Sequence, residues 1–305
     1  MENFKVHILG CGSALPTMKH FPSAQVVEVR DKMFLVDCGE GTQLQLRRSH
    51  VRFTKITSVF ISHLHGDHCF GLIGLISTFG LLGRTAPLHV YAPSELEEML
   101  NQQVSFFCSD LGYNVVFHAV DTTKSLVIYE DRCLTVTTIP LVHRKPCCGF
   151  LFKEKPSLPH IRRDVLDAYS IPLSQVNNIK NGADWVTEDG EIIPNSRMVR
   201  PADKPRSYAY CSDTSYMRNL HKMVEGVDAL YHESTYISAD EDKAKLYNHS
   251  TSRQAAMVAR DACAGKLILG HFSARYDDER VLLDEAKEIF ENSIMAAENS
   301  VIDVR

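Results

Sequence analysis

Three histidines and one aspartate stand within six consecutive residues, His63-Leu64-His65-Gly66-Asp67-His68. Imidazole nitrogens and carboxylate oxygens are ligands that zinc, manganese and iron take in proteins. The alternative is a surface loop that happens to be rich in histidine, but this would not explain the spacing. The run therefore predicts a metal-binding loop, and the chemistry that it favours is hydrolysis by a metal-activated water.

The residues on either side predict how this loop is held. Ile56 to Ile61 are apolar and β-branched, as in a buried strand, whereas Cys69 to Leu82 are apolar with glycine spacers, as in a helix. At the end of a strand, residues i and i+2 point the same way, so His63 and His65 can bind one metal ion. Gly66 then lets the chain turn, so that the aspartate and histidine after it face a second ion.

Three further ligand-type residues, His143, Asp213 and His271, each follow a strand-like run. Sites in α/β proteins assemble at the carboxyl ends of strands. Each residue has an ordinary alternative: a lone histidine after a strand often caps or packs, and Asp213 could cap a helix that begins near Tyr216. Together with the six-residue run, they complete a set of seven ligands for two metal ions.

The chain resembles the metallo-β-lactamase-fold hydrolases and, among them, the tRNase Z family of endonucleases, which trim the 3′ trailer from precursor tRNA. The resemblance extends from Phe4 to about Val304. Beside the histidine run, its motifs are Leu9-Gly10-Cys11-Gly12-Ser13, Asp37-Cys38-Gly39-Glu40-Gly41-Thr42-Gln43, His232-Glu233-Ser234-Thr235, Asn248-His249-Ser250-Thr251 and Ser273-Ala274-Arg275-Tyr276. Two family features are missing, namely an Arg-Asn pair in the loop around Lys19 and a Gly-Pro pair around Pro172.

The resemblance implies an α/β fold, a four-layer αββα sandwich of two mixed β-sheets, in a single domain over residues 1–305. Residues 153–206, which are rich in proline, would form a protruding arm that is inserted in this domain and grips tRNA. Two Zn²⁺ ions are implied, with Mn²⁺ or Fe²⁺ as substitutes, and so is a homodimer. One ion would be held by His63, His65 and His143, the other by Asp67, His68 and His271, with Asp213 bridging them.

The resemblance also implies catalytic roles. Asp67 would orient or deprotonate the attacking water, and His249 would donate a proton to the departing 3′ oxygen of the tRNA. Glu233 would hold His249 in the required tautomer, as a carboxylate commonly does for a working histidine. No catalytic role is assigned to His232, which we expect to support the site or the fold.

The formal net charge of −5 argues mildly against nucleic-acid binding, but basic residues are unevenly distributed. The predicted substrate-binding residues are Lys19, Arg144, Lys153, Lys155, Arg162, Arg163 and Arg275. One basic cluster, from Arg144 to Arg163, follows His143, and a second precedes the metal loop and consists of Arg47, Arg48, Arg52 and Lys55. Such clusters often do no more than solvate a surface. Because both flank the predicted site in sequence, we expect them to bind phosphate.

Composition is that of an ordinary soluble protein, with 44% hydrophobic and 23% charged residues. No secretory signal pattern is visible, since Met1 to Val6 lead almost at once into a strand, and no apolar run reaches the ~20 residues of a membrane span. The nine cysteines are scattered, which predicts reduced thiols in a cytoplasmic protein.

Two other functions remain open from the sequence. A hydrolase of the same fold could act on a small phosphodiester, ester or lactone, but it would not need the segment 153–206. A binding module that has lost catalysis would lack some metal ligands, and all seven are present here.

Overall fold

The computed structural model describes residues 3–305, apart from the side chain of Phe53. Met1 and Glu2, which we expected to lead into the first strand, lie outside the described residues. The chain divides into two compact units. The smaller unit comprises Asp131–Cys133 and Glu154–Pro205, and the larger unit comprises the remaining described residues.

Two seven-stranded mixed sheets form the larger unit. The first sheet has the order β18-β1-β2-β3-β4-β5-β6, and β3 to β6 run parallel to one another. Its strands are β1 (Phe4–Gly10), β2 (Ala24–Val29), β3 (Lys32–Val36), β4 (Ile56–Phe60), β5 (Leu88–Pro93), β6 (Val115–Val120) and β18 (Val301–Asp303).

The second sheet has the order β17-β16-β15-β14-β9-β8-β7, in which β14 to β17 are parallel. Its strands are β7 (Val127–Glu130), β8 (Leu134–Leu141), β9 (Cys147–Glu154), β14 (Ser207–Cys211), β15 (Ala229–Glu233), β16 (Leu267–Gly270) and β17 (Ser293–Met295). Every residue of β14, β15 and β16 is buried, as expected for parallel strands covered on both faces.

The inner faces of the two sheets pack together through aromatic side chains. The ring centroids of Phe34 and Phe152 are 5.9 Å apart, and those of Phe60 and Phe150 are 5.5 Å apart. These residues belong to one continuous buried cluster that includes residues from both sheets. A sheet-on-sheet core of this kind derives its stability from apolar area removed from water.

Helices cover the outer face of each sheet. The first sheet packs on α1 (Thr42–Arg48), α3 (Leu72–Leu81) and α4 (Leu96–Phe107), and the second on α8 (Leu220–Met223), α10 (Ser252–Asp261) and α11 (Arg280–Lys287). The predicted four-layer sandwich of two mixed sheets is therefore confirmed. Two short helices of the larger unit lie in loops, α2 (Gly66–Cys69) and α9 (Glu241–Tyr247). None of the helices among residues 3–305 is both long enough and apolar enough to cross a lipid bilayer.

Strand direction brings the candidate ligands together. Because β14, β15 and β16 are parallel, the loops after their carboxyl ends lie at one edge of the second sheet. The loop after β4 joins the same edge, since the backbone N–H of Cys148 at the start of β9 donates to the carbonyl of Ser62 (3.1 Å).

Two details of the predicted helices were wrong. The helix expected over residues 69–82 is interrupted after α2, because the N–H of Gly71 donates to the carbonyl of Cys38 (2.8 Å) instead of continuing the helical pattern. A β-carbon on Gly71 would lie only 2.1 Å from the carbonyl oxygen of Gly39, so this close approach requires glycine. No helix begins near Tyr216 in the described chain, where α8 starts only at Leu220.

The smaller unit has its own core, formed by Leu166, Ile171, Ile179, Ile193 and Met198. Its elements are β10 (His160–Ile161), α5 (Arg163–Ala168), α6 (Val176–Lys180), β11 (Trp185–Val186), β12 (Ile192–Ile193), α7 (Asn195–Met198) and β13 (Val199–Arg200). Strands β11 and β12 form a hairpin, and β10 pairs with β13. The proline-rich insertion is therefore ordered, with a buried apolar centre of its own.

Candidate metal centre

Four side chains from three loops converge in a first group: His63, His65, His143 and Asp213. The Nδ1 atom of His65 lies 3.0 Å from Nε2 of His63 and 3.2 Å from Nε2 of His143. One oxygen of Asp213, Oδ2, lies 3.6 Å from Nε2 of His63 and 3.6 Å from Nε2 of His143. Four potential ligand atoms therefore face a common point.

A second group consists of Asp67, His68, His271 and the same Asp213. The other oxygen of Asp213, Oδ1, lies 3.2 Å from Nε2 of His68 and 3.1 Å from Nε2 of His271. The Oδ2 atom of Asp67 lies 3.3 Å and 3.4 Å from the same two nitrogens. Asp213 thus contributes one oxygen to each group, and the two groups share this residue.

These separations fit the coordination of a small divalent ion. Two ligand atoms that each lie ~2.1 Å from a tetrahedral zinc ion are ~3.4 Å apart. The observed separations within the groups, 3.0–3.6 Å, are close to this value. The two groups can therefore hold a divalent cation with little rearrangement of their side chains.

Outward hydrogen bonds fix the imidazoles in the tautomer that a metal requires. The Nδ1 atom of His68 lies 2.7 Å from Oδ2 of Asp37, and Nδ1 of His143 lies 2.9 Å from the carbonyl of Asn248. Protons on these Nδ1 atoms leave the lone pair of each Nε2 directed to the centre of its group. Such partners orient metal-binding histidines and raise their basicity. The His68 Nε2 atom is buried and has no hydrogen-bond partner, as expected of a metal ligand.

The charges of the site also favour a cation. Burial lowers the pKa of His63, His65 and His143, so these imidazoles are held neutral and their lone pairs are available. For Asp213, burial would raise the pKa, but the surrounding histidines outweigh this effect and hold it well below the usual range.

His68 differs from the three histidines of the first group: burial opposes its charged form, but the carboxylates of Asp213, Asp67 and Asp37 outweigh burial and raise its pKa well above the usual value. Burial would raise the pKa of Asp67, but the charge of the His68 ring is the largest of the effects that lower it. A cation bound at Nε2 of His68 would take the place of the proton there.

His249 is the candidate proton donor, and it lies at the rim of the two groups. Its ring centroid is 5.1 Å from that of His143 and 5.3 Å from that of His271. The His249 Nδ1 atom lies 2.9 Å from Oε1 of Glu233. Burial opposes the charged form of His249, but the nearby Glu233 carboxylate outweighs burial and raises its pKa to about 9.

Hydrogen bonds through Glu233 and Thr235 connect His249 to His271. The fully buried carboxylate of Glu233 accepts a hydrogen bond from the Thr235 hydroxyl (2.5 Å) and from the backbone N–H of Thr214 (2.7 Å). The same hydroxyl lies 2.9 Å from Nδ1 of His271 and can accept its proton. His232 is also fully buried, and its Nδ1 atom donates to the carbonyl of Glu233 (2.8 Å), which makes it part of the fold around the site.

Three residues of the site have left-handed backbone conformations. The φ angles are 56° for Asp37, 56° for Asp213 and 58° for His271, and each residue lies one or two positions after the end of a strand. Residues other than glycine adopt this conformation at a free-energy cost. In each case it turns the side chain from the end of its strand into the site.

The structure places three of the predicted substrate-binding residues at the same edge of the larger unit. The Arg144 guanidinium donates to the carbonyl of Leu246 (2.9 Å), directly beside His143. The Arg275 guanidinium lies 6.0 Å from the ring centroid of Tyr236, which is 6.1 Å from the His249 ring. Lys19 donates to the carbonyl of Asp277 (2.5 Å), in the loop that carries Arg275.

The remaining basic residues belong to other parts of the chain. Lys155, Arg162 and Arg163 belong to the smaller unit. Lys153 is in register with Ser207 at the start of β14, so it lies at the end of the strand away from Asp213. Of the second cluster, Arg52 and Lys55 precede β4, whereas the metal loop follows it, and a strand of five residues separates them by ~17 Å.

Two residues of the site were missed in the sequence. Asp37 buries its carboxylate against His68, Ser62 and Tyr210, and Thr235 connects His271 to Glu233. Asp37 had a usable signal, because it is an acid that directly follows β3, just as the other ligands follow strands. For Thr235 the only signal was its position in the motif that contains Glu233.

Similarity to known proteins agrees with this geometry. A family model described as "Anti-Pycsar protein Apyc1" matches residues 4–157. The chain is 56% identical over 304 residues to a ribonuclease Z from Bacteroides fragilis and 47% identical to one from Porphyromonas gingivalis, with 100% of each chain covered.

Solved structures show the same similarity. The short form of human tRNase Z has 26% identity to the chain and a TM-score of 0.71, with 99% of each chain covered. YhfI from Bacillus subtilis, a metallo-β-lactamase-fold protein with 20% identity and a TM-score of 0.69 over 99% of this chain and 100% of that one, shares the fold. The chain thus belongs to the ribonuclease Z family, and its residues 4–157 belong to the family that the Apyc1 model describes.

Proposed function

We propose that the chain is a zinc-dependent endoribonuclease that hydrolyses a phosphodiester bond on the 3′ side of the acceptor stem of precursor tRNA and thereby removes the 3′ trailer. The observation that carries this proposal is the pair of ligand groups that share Asp213, with His249 at their rim. Family membership supports a metal-dependent endoribonuclease that acts on tRNA.

Two Zn²⁺ ions would occupy the two ligand groups, with Mn²⁺ or Fe²⁺ as substitutes. His63, His65 and His143 would hold one ion, Asp67, His68 and His271 would hold the other, and Asp213 would bridge them. Nitrogen-rich sites with carboxylates suit zinc. When bound, such ions supply Lewis acidity, which lowers the pKa of water and neutralises the charge of a phosphate.

The protein side chains divide the proton transfers between them. Asp67, which is held ionised by its histidine neighbours, orients the attacking water or accepts its proton. His249, whose pKa is raised to about 9, is protonated at neutral pH and donates a proton to the departing 3′ oxygen. Glu233 keeps His249 oriented through the 2.9 Å hydrogen bond to its Nδ1 atom.

The segment 153–206 would be a tRNA-binding arm inserted in a single catalytic domain of residues 1–305. Support comes from its own buried core, which allows it to stay folded as a separate contact surface. Arg163 is exposed, and Arg162 pairs with Asp164 (2.8 Å) at the surface, where such a pair can exchange for a phosphate.

We further propose that two copies of the chain associate and that the enzyme works in the cytoplasm. Large apolar side chains are exposed on and beside α3 and α4, among them Phe70, Leu81, Phe106 and Phe107. Exposed apolar surface of this kind is typical of protein interfaces. The nine cysteines are all free thiols in the described chain, as in a reducing compartment.

The decisive experiment is incubation with a precursor tRNA that carries a 3′ trailer, with and without a chelator, followed by mapping of the cut. We expect a single cut at the 3′ side of the acceptor stem that the chelator abolishes and added Zn²⁺ restores. If the precursor stays intact while a small phosphodiester, ester or lactone is hydrolysed, the alternative function of a small-molecule hydrolase is correct instead.

A further inference from the structure

Beside the site, an arginine and a tyrosine form an exposed flat surface that no step above uses. The Arg144 guanidinium lies over the Tyr247 ring, with its central carbon 4.9 Å from the ring centroid. The Tyr247 side chain is 40% exposed, and its neighbour Leu246 is 66% exposed. Both the ring and the guanidinium can therefore contact a bound molecule.

This pair is held rigidly against the metal ligands. Arg144 follows His143, and both side chains are anchored to the end of α9, through the carbonyls of Leu246 (2.9 Å) and Asn248 (2.9 Å) respectively. Asn248 ends the helix in a left-handed conformation (φ 57°), and the next residue, His249, donates its backbone N–H to the carbonyl of Ala244 (2.9 Å). The aromatic platform and the candidate proton donor thus sit on the same helix terminus.

We propose that Arg144 and Tyr247 form a stacking platform for a nucleobase of the RNA, namely the base on the 5′ side of the cleaved bond. Unpaired bases of RNA stack on aromatic rings and guanidinium planes, and arginine adds attraction to the neighbouring phosphate. A single-stranded 3′ end supplies such a base. The inference rests on the proposed function, because only an RNA substrate has a base at this place.

The position of His249 selects the side of the cleaved bond. His249 donates its proton to the departing 3′ oxygen, which belongs to the nucleotide on the 5′ side. Tyr247 lies two residues before His249. Arg144 follows His143, whose ring centroid is 5.1 Å from that of His249, so we expect the base of that nucleotide to reach the platform. The platform would place the leaving nucleotide before cleavage, so Arg144 and Tyr247 act as positioning residues.

A double-mutant cycle between the protein and the RNA tests this contact. The two proteins are the wild type and Tyr247→Ala, and the two substrates are a precursor tRNA and the same RNA with an abasic nucleotide 5′ of the cleaved bond. Loss of one base–aromatic stack corresponds to about a 5- to 150-fold fall in kcat/KM. We expect that fall for Tyr247→Ala on the normal RNA and almost none on the abasic RNA.

Three controls make the result specific. Tyr247→Phe keeps the ring and should restore cleavage, whereas Glu241→Ala removes an exposed ion pair of α9 with Lys245 (2.9 Å) and should change little. Hydrolysis of bis(p-nitrophenyl) phosphate, which has no base, should be the same in the wild type and Tyr247→Ala.

Several outcomes would overturn the inference. Equal losses on normal and abasic RNA would show that Tyr247 merely supports the helix end, and equal losses on the small phosphodiester would show the same. If the Tyr247→Ala defect disappears when the abasic nucleotide lies 3′ of the cleaved bond, and not when it lies 5′, then Tyr247 stacks on the base at the 3′ side. If the wild-type protein cuts the precursor tRNA and Tyr247→Ala is equally active, this inference is wrong but the proposed function stands. If the wild-type protein leaves the precursor intact, the proposed function is wrong as well.

Discussion

The imidazole of His68 and the carboxylate of Asp37 are joined by a 2.7 Å contact, and solvent reaches neither side chain. Asp37 also accepts hydrogen bonds from the backbone N–H of Ser62 (2.8 Å) and the hydroxyl of Tyr210 (2.7 Å). The carboxylate is therefore fixed from three sides, and it directs the free Nε2 atom of His68 towards the two aspartates of the second ligand group.

Asp37→Asn should weaken metal binding, because the amide cannot act as the anionic acceptor that orients His68. Loss of such a partner typically lowers metal affinity by about 10- to 100-fold. Competition with a zinc chelator measures this change directly, and excess zinc should restore activity. Asp31→Asn, at a fully solvent-exposed carboxylate, is the matched control. Equal zinc affinity in Asp37→Asn and the wild type would show that the contact does not tune the metal centre.

His249→Ala should lower kcat for precursor tRNA by about 10²- to 10⁴-fold while metal content stays unchanged, since a proton donor to the leaving oxygen is lost. On a phosphodiester with a nitrophenolate leaving group, which needs little protonation, the defect should shrink. Glu233→Gln should be milder, because it weakens the orientation of His249 without removing the donor. His221→Ala, at a partly exposed histidine outside the two ligand groups, is the control for loss of an imidazole. An undiminished defect on the nitrophenyl substrate would point to a structural role.

Removal of the arm should separate RNA binding from catalysis. Lys153 and Ser207 are register partners on the antiparallel strands β9 and β14, so a short turn can replace the segment between them. We expect a large rise in KM for precursor tRNA and nearly unchanged hydrolysis of a small phosphodiester, because remote contacts mainly position the substrate. Equal losses on both substrates would mean that the segment supports the fold, and an unchanged KM would mean that it does not bind tRNA.

The surroundings of His20 make the free energy of unfolding depend on pH. Its ring nitrogens contact Glu298 (3.0 Å) and Glu279 (2.8 Å), and the Cys11 thiol lies 3.4 Å away. Burial lowers the pKa of His20, but hydrogen bonds to these three side chains outweigh burial and raise the pKa to about 12. In the unfolded chain His20 loses its proton above a pKa of ~6.5, whereas in the folded protein it keeps the proton. The contribution of His20 to the free energy of unfolding is therefore complete below pH ~6.5 and falls as the pH rises towards 12.

Thermal unfolding measured between about pH 6 and 9 tests this linkage. The melting temperature of the wild type should decline with rising pH, and the decline should be shallower in His20→Gln, which has no proton to lose. His221→Gln, at a partly exposed histidine that contacts the carbonyl of Arg218 instead of a carboxylate, should retain the wild-type slope. Parallel curves for the wild type and His20→Gln would contradict the assigned protonation of His20.

Most of the fold could be predicted because it is encoded locally. The strand predicted before the histidine run is present as β4, and the ligands of the two groups follow strand ends, where parallel strands bring them to one edge. The spacing of Thr251 and Gln254 is typical of a capping box, and both of its hydrogen bonds are present at the start of α10.

What could not be predicted depends on contacts between distant residues. Asp37 meets His68 31 residues later and Tyr210 173 residues later, and no periodic pattern records such a pairing. Arg52 and Lys55 were expected near the site because they are close to it in sequence. Strand β4 lies between these residues and His63, so they are at the opposite end of the sheet.

The left-handed backbone at Asp213 and His271 sets heat resistance and activity against each other. Each of these two residues holds a conformation that glycine adopts with less strain, at a cost of about 1 kcal/mol or more in the folded state. Asp37 has the same conformation, but glycine there would leave the hydroxyl of Tyr210 and the backbone N–H of Ser62 without their buried acceptor, which costs more than the strain. In a variant selected for resistance to heat alone, glycine at position 213 or 271 would therefore show that activity had not been screened along with stability.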